Sequence, residues 1–263
     1  MMAMKFAPAA FAVLVTASVA LSACAQTPVA QMPVADSLIW LDDPHTDFAL
    51  TPRLVGEGAE GLNVRLADFD SQAQAARIDC LAMGGANAEF TRTTWVPFSG
   101  PRFLTVAVND GYYCGGAYPS VNLIRLTLDR RSGGAPDWAS LWPAAEMQDA
   151  SQGGDLLPTT TEARALIDWF RAAVRADAEN DAEWLEQCDG WYGADPIQQR
   201  LMVWLDAAAG GIVMDWADLP HVAMACGSQQ IMPSDVAAQL GASPELLGAL
   251  RQGHAQGAFK DLP

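Results

Sequence analysis

Positive charge is scarce in this chain: 15 Lys and Arg stand against 31 Asp and Glu, a formal net charge of −16. A surface with that balance repels phosphate backbones and anionic headgroups, which argues against nucleic acid and against an electrostatic membrane patch. Solubility alone accounts for such a charge, but any charged partner it attracts is cationic. Histidine is scarce as well. His45, His221 and His254 lie in an acidic turn, a Pro-His step and the terminal tail, and none has a Ser or Cys partner that the sequence identifies. The nucleophile elbow G-x-S-x-G, the zinc motif H-E-x-x-H, the P-loop and the dinucleotide fingerprint are all missing. Asp42-Asp43-Pro44-His45 has metal-binding residue types, but nothing else has ligand spacing. An exposed turn is the expected reading there, with no metal and no cofactor. Carboxylates are plentiful, yet abundance does not identify a catalytic pair, so catalysis is unsupported. There is no internal repeat and no low-complexity block large enough to split the chain.

What is present concerns destination first. Met1 to Lys5 is a short positive n-region and Phe6 to Leu21 an apolar run rich in Ala and Val. This is the pattern of a signal peptide, too short and wrongly flanked for a stable membrane span. It ends in Leu21-Ser22-Ala23-Cys24, which resembles a bacterial lipobox and makes Cys24 the expected lipidated first residue. The rival is ordinary cleavage at Ala23-Cys24-Ala25, an A-x-A pattern, and the Leu at minus three favours the lipobox. Ala25 in place of Asp points to outer-membrane attachment facing the periplasm. Losing Lys5 with the signal moves the formal charge from −16 to −17. Residues 24–36, small residues with Gln and Pro, read as a tether. Residues 37–252 have the size of one domain, and the tail 253–263 reads as loose.

The stretch Phe103 to Pro143 organises that domain. Leu104, Val106 and Val108 alternate with smaller residues, as Ile124, Leu126 and Leu128 do with Arg125 and Thr127, which is the period of two half-buried strands. Asp110-Gly111 is expected to break the first run and Asp129 to Gly134 to reverse the chain. A partner strand is expected over Phe90 to Phe98, and a second hairpin over Leu201 to Leu205 and Ile212 to Trp216. Leu38 to Trp40 and Phe48 to Val55 give a first strand region, with further strands at Val222 to Cys226 and Gln230 to Met232. Leu62, Leu66, Phe69, Ala73, Ala76 and Cys80 recur in steps of four and three, an amphipathic helix stopped at Gly84-Gly85. Thr159-Thr160-Thr161-Glu162 fits a capping box opening a helix that carries Trp169 and Phe170. A shorter helix follows around Trp184 and Cys188, and Pro233-Ser234 and Ser243-Pro244-Glu245 cap the last two. The helical aromatics could make a sugar-stacking platform, although Trp at helical spacing is more often core. The fold class is α+β, an antiparallel sheet built from hairpins with helices packed on one face and two disulfides.

Between the first two strands stands Tyr112-Tyr113-Cys114-Gly115-Gly116-Ala117-Tyr118-Pro119. That segment, followed by a strand, Asp129-Arg130-Arg131-Ser132-Gly133 and a Trp/Leu/Pro run, resembles the extracytoplasmic C-terminal domain of RsiV-type anti-sigma factors. Related domains accompany peptidoglycan deacetylases and occur in envelope lipoproteins. The likeness covers about Phe48 to Leu240, with Leu62-Asn63 matching an early helix signature and Gln230 to Ser234 the final strand-to-helix step. The family carries His where this chain has Tyr118, so no imidazole role carries over. The resemblance implies a domain that binds a partner, a cationic wall-active protein such as lysozyme being one candidate. Tyr112, Tyr113 and Tyr118 form the candidate binding face. The cytoplasmic sigma-binding segment and membrane span of an anti-sigma factor have no counterpart here, so that kind of signalling is not implied.

With Cys24 taken by lipid, Cys80, Cys114, Cys188 and Cys226 remain, an even number for an oxidising compartment. Opposed residues of the first hairpin have numbers summing to about 201, and Cys80 with Cys114 sums to 194. The second hairpin gives about 417, and Cys188 with Cys226 gives 414. Adjacent pairing therefore puts each bridge at the open end of its own hairpin. A reactive thiol is the rival, but neither Cys114 nor Cys188 has a cationic neighbour, and Glu186 and Asp189 oppose a thiolate at Cys188. The expected function is a non-catalytic, lipid-anchored envelope protein with a binding domain. The alternatives are an accessory to a cell-wall hydrolase or deacetylase, and a structural envelope component.

Overall fold

The computed structural model describes residues 37–41, 47–56, 58–149, 158–178, 181–192, 200–217, 219 and 221–256. Cys24, the tether, the Asp42-Asp43-Pro44-His45 cluster and the last seven residues lie outside them. In chain order the elements are β1 (Ser37–Ile39), β2 (Arg53–Val55), α1 (Ala59–Gly84), β3 (Glu89–Ser99), β4 (Phe103–Tyr113) and β5 (Ser120–Asp129). Next come α2 (Trp138–Leu141), β6 (Gln148–Asp149), β7 (Thr159–Thr161), α3 (Arg164–Asp177) and α4 (Ala182–Tyr192). The chain continues with β8 (Leu201–Asp206), β9 (Gly211–Trp216), β10 (Gln230–Met232), α5 (Ser234–Gln239), α6 (Pro244–Leu250) and β11 (His254–Gln256).

The fold is α+β and its main strand pairings are antiparallel, as the alternating patterns predict, but the strands divide into two principal sheets. One has the order β11-β3-β4-β5, the other β10-β9-β8-β7-β6, and β1-β2 form a separate ribbon. Period two sorts the side chains of the first sheet. Leu104, Val106 and Val108 pack with Leu128 and with Leu62 and Leu66 of α1, so the helix covers that face. The opposite face carries Thr105, Thr127 and Arg125, all buried, because it lies against the second sheet. Alternation in β5 predicts a half-buried strand with Arg125 and Thr127 outward; stacking of the sheets buries both sides instead.

The second sheet divides in the same way. Met202, Trp204 and Val213 face the first sheet, while Leu201, Val203, Leu205, Ile212 and Met214 face the largest core, which α2, α3, α5 and α6 close. The layers therefore run helix, sheet, sheet, helices. Each fully buried Leu or Ile in them contributes about 1.5–3 kcal/mol.

Both disulfides pair as the hairpin spacing predicts, Cys80 with Cys114 and Cys188 with Cys226. The strand expected over Phe48 to Val55 is confined to Arg53–Val55, with a single bridge at Phe48, and local readings fail at four further places where a tertiary partner overrides a local preference. Strand β4 continues through Asp110-Gly111 to Tyr113, since β3 and β5 pair with it along that length. Thr159–Thr161 is a strand rather than a capping box: Thr160 pairs with both Gln148 and Met202, and α3 begins only at Arg164. His221–Cys226 is a 3-10 turn where a strand is expected, held to α4 through the Cys188–Cys226 bridge. The tail, expected loose from Gly253, pairs over His254–Gln256 with the outer edge of β3.

Candidate functional site

Where the two sheets part beyond the start of β5, a cavity of about 370 Å³ opens. Its described walls come from Val121, Asn122 and Leu123 of β5, Met202 of β8, Asp215 to Ala217 at the end of β9, and Leu219, Met224, Gly227 and Gln229 of the following segment. Val121 and Met224 are 48% and 40% exposed, whereas Met202 is buried. Asp215 is 7% exposed and is the sole carboxylate among the described lining residues.

Asp215 alternates with Met214 and Trp216 along β9, so its side chain enters the space between the sheets while theirs enter the helix-covered core. Its Oδ1 accepts the Trp216 N–H at 2.8 Å. Burial pushes this carboxyl above the ordinary aspartate range, against hydrogen bonds from the Trp216 backbone, the Gln229 side chain and the Ser228 backbone and the charge of Arg125.

Arg125 is the cation of the seam. Its guanidinium lies 4.6 Å from the Trp95 ring and 5.5 Å from Trp204, and donates to Val108 O at 3.1 Å and Asn109 Oδ1 at 3.0 Å. Burial pulls it down to about 10, opposed by Asp215 and Asp206.

A second charged group lies under α1. Asp70 accepts from the Thr51 hydroxyl at 2.8 Å and from Arg53 at 2.8 Å, and it sits 3.5 Å from Arg92. Arg92 faces Asp110 across the β3–β4 ladder at 3.6 Å, with its guanidinium over the Phe48 and Phe69 rings. Burial lowers the Arg92 value and raises that of Asp110, each countered by the other's charge. Asn63, one half of the helix signature, accepts from Leu54 N–H at 2.8 Å and donates to Leu54 O at 2.9 Å, clamping α1 to β2.

The three tyrosines are placed differently. Tyr112 is half-buried and stacks on Phe90 at 6.0 Å, within the small core that includes Cys80. Tyr113, next along β4, is half-buried and opposes Glu89. Tyr118 is 71% exposed in the Gly-rich bend. The helical aromatics Trp169 and Trp184 pack against the largest core, and Trp184 Nε1 donates to Ala225 O at 3.1 Å.

No family model and no curated protein matches this chain. Its surface is nevertheless distinctive. Among the described residues, all the basic side chains other than histidine are arginines, and only Arg131, Arg164, Arg175 and Arg251 are exposed. Exposed carboxylates are far more numerous, from Glu60, Asp68 and Asp79 on α1 to Asp168, Asp177, Glu183 and Glu186 on α3 and α4. Most of the described arginines are buried or half-buried, so carboxylates dominate the fully exposed charge.

The residues that sequence reasoning missed are Asp215, Arg125 and the cavity walls. The one signal is a charged residue within an apolar strand, as in Met214-Asp215-Trp216. Among the described residues there is no group of three His, Cys, Asp or Glu that could hold a metal, and no helix long and apolar enough to cross a membrane.

Proposed function

We propose that this is a lipid-anchored envelope protein whose domain, similar to the extracytoplasmic domain of RsiV-type anti-sigma factors, holds a cationic protein at its acidic surface. The observation that carries the reading is the balance of exposed charge: most described carboxylates are exposed, whereas most described arginines are buried or half-buried. A field of one sign steers oppositely charged partners and penalises anionic ones. The lipobox-like Leu21-Ser22-Ala23-Cys24 and the two disulfides fit an oxidising, extracytoplasmic setting. A wall-active protein such as lysozyme is the partner to try first.

The test is a binding titration of the full-length protein with lysozyme, at low salt and at about 1 M salt, where the Debye length falls to about 3 Å. Micromolar binding that weakens by about tenfold or more in high salt supports the reading. Absence of binding at low salt removes lysozyme as the partner, and binding indifferent to salt removes the electrostatic mode.

A further inference from the structure

We propose that the cavity between the start of β5 and the end of β9 is a binding site for a small organic cation, an amine with an apolar body whose ammonium faces Asp215. This site is separate from the acidic surface proposed to hold a protein partner, and either can fail without the other.

Four features of the cavity specify the ligand. At about 370 Å³ it falls at the lower end of the range of small-molecule sites. Aliphatic and thioether side chains, Val121, Leu123, Met202 and Met224, supply part of its lining beside the polar groups. Two of these, Val121 and Met224, leave apolar surface open to water at the mouth, where an apolar body would cover it. Methionine fits irregular partners because its chain is unbranched and polarizable.

Among the described lining residues one side chain is charged. Asp215 supplies the charge, while Asn122 and Gln229 add only neutral amides. Arg125, whose guanidinium feels the charges of Asp215 and Asp206, is held by Val108 O and Asn109. Held in this way, it does not turn outward to receive an anion. An ammonium brought against Asp215 in this desolvated setting gains a charge-assisted hydrogen bond. A carboxylate there meets repulsion, and an alcohol gains only a neutral hydrogen bond.

The experiment uses full-length protein carrying ¹³C-methyl methionine, with Met202 and Met224 as reporters, titrated in parallel with hexylamine, hexanol and hexanoate. Saturating shifts at both methyls are expected with hexylamine at a concentration about tenfold or more below that for hexanol, the ratio expected of one charged hydrogen bond. Hexanoate should produce none. Asp215→Asn should remove the preference for the amine. Val121→Lys, at an exposed rim position that leaves Asp215 intact, should weaken hexylamine alone, and Met224→Trp should block both hexylamine and hexanol, read at the Met202 methyl. Equal affinity for the three probes, no saturation with any of them, or an amine preference that survives Val121→Lys would overturn the proposal. The wild-type series decides the charge question even where Asp215→Asn fails to fold.

Discussion

At the scale of single residues, the chemistry is set by ionisable groups taken out of water. Arg125 sits 3% exposed between two tryptophan rings and neutralises part of the charge on Asp206 and Asp215. Replacing it by Leu leaves those carboxylates without their cation and Val108 O without a donor. Arg125→Leu should lose about 3 kcal/mol of unfolding free energy, the scale seen when one partner of a buried pair is removed. A urea midpoint within error of wild type would show that solvent reaches the seam. Asp110 and Asp215 also set a pH dependence. Burial holds both above their unfolded values, so between the two values the native chain binds more protons than the unfolded one. Unfolding free energy therefore falls as pH rises through the folded value, and is regained on acidification. The urea midpoint should rise between neutral and mildly acidic pH, with a smaller rise in Asp215→Asn, and an identical rise in the variant would clear Asp215 of the effect. Cys24 gives a test of destination: Cys24→Ser should abolish incorporation of labelled palmitate, and labelling that persists would remove the lipobox reading.

Elements are held to one another by contacts made at their ends. Helix α1 reaches β4 through Cys80–Cys114, and the two backbones meet closely at Gly84, where a Cβ would stand 2.8 Å from the Cys114 carbonyl carbon. Gly84→Ala should therefore cost about 1–3 kcal/mol, as overpacking does, although Ala is the better helix former. A gain in thermal midpoint would show that the helix end moves aside. The two bridges close loops of similar length, with sequence separations of 34 and 38. On the chain-entropy model each is worth roughly 4 kcal/mol, so the Ser pairs at Cys80/Cys114 and Cys188/Cys226 should lower the urea midpoint comparably. A loss confined to one pair would mean that its partner loop is held by packing instead. Element type was legible where periodicity was long. The registers Leu104 opposite Leu128 and Leu201 opposite Trp216 follow from alternating apolar positions and a turn between them. It was not legible at Thr159–Thr161, where a capping motif and a strand share one composition. There Thr161 Oγ1 both accepts from Ala163 N–H at 3.1 Å and reaches Ala145 O, so the hydroxyl ties the strand into place while leading into α3.

At the scale of the whole molecule, layering explains both the acidic exterior and the site. Stacking β8 of one sheet over β5 of the other buries a face that alternation assigns to water, and arginine is the cation suited to it. Its planar, weakly hydrated head lies on rings and carbonyls where an ammonium would need hydration. The carboxylates left outside produce the field on which the proposed partner depends. The same stacking opens the cavity where the strands of the two sheets diverge.

What the amino-acid order determined alone was local in origin: the hairpins, the apolar stripe of α1 and the disulfide pairing from hairpin symmetry. Each depends on neighbours a few residues apart or on one short ribbon. Tertiary structure alone decided that there are two sheets rather than one, that Arg125 and Asp215 are both buried between them, and that the three tyrosines take separate settings. Those outcomes depend on which faces meet across long sequence separations, and an alternating strand carries the same pattern whether its second face meets water or another sheet.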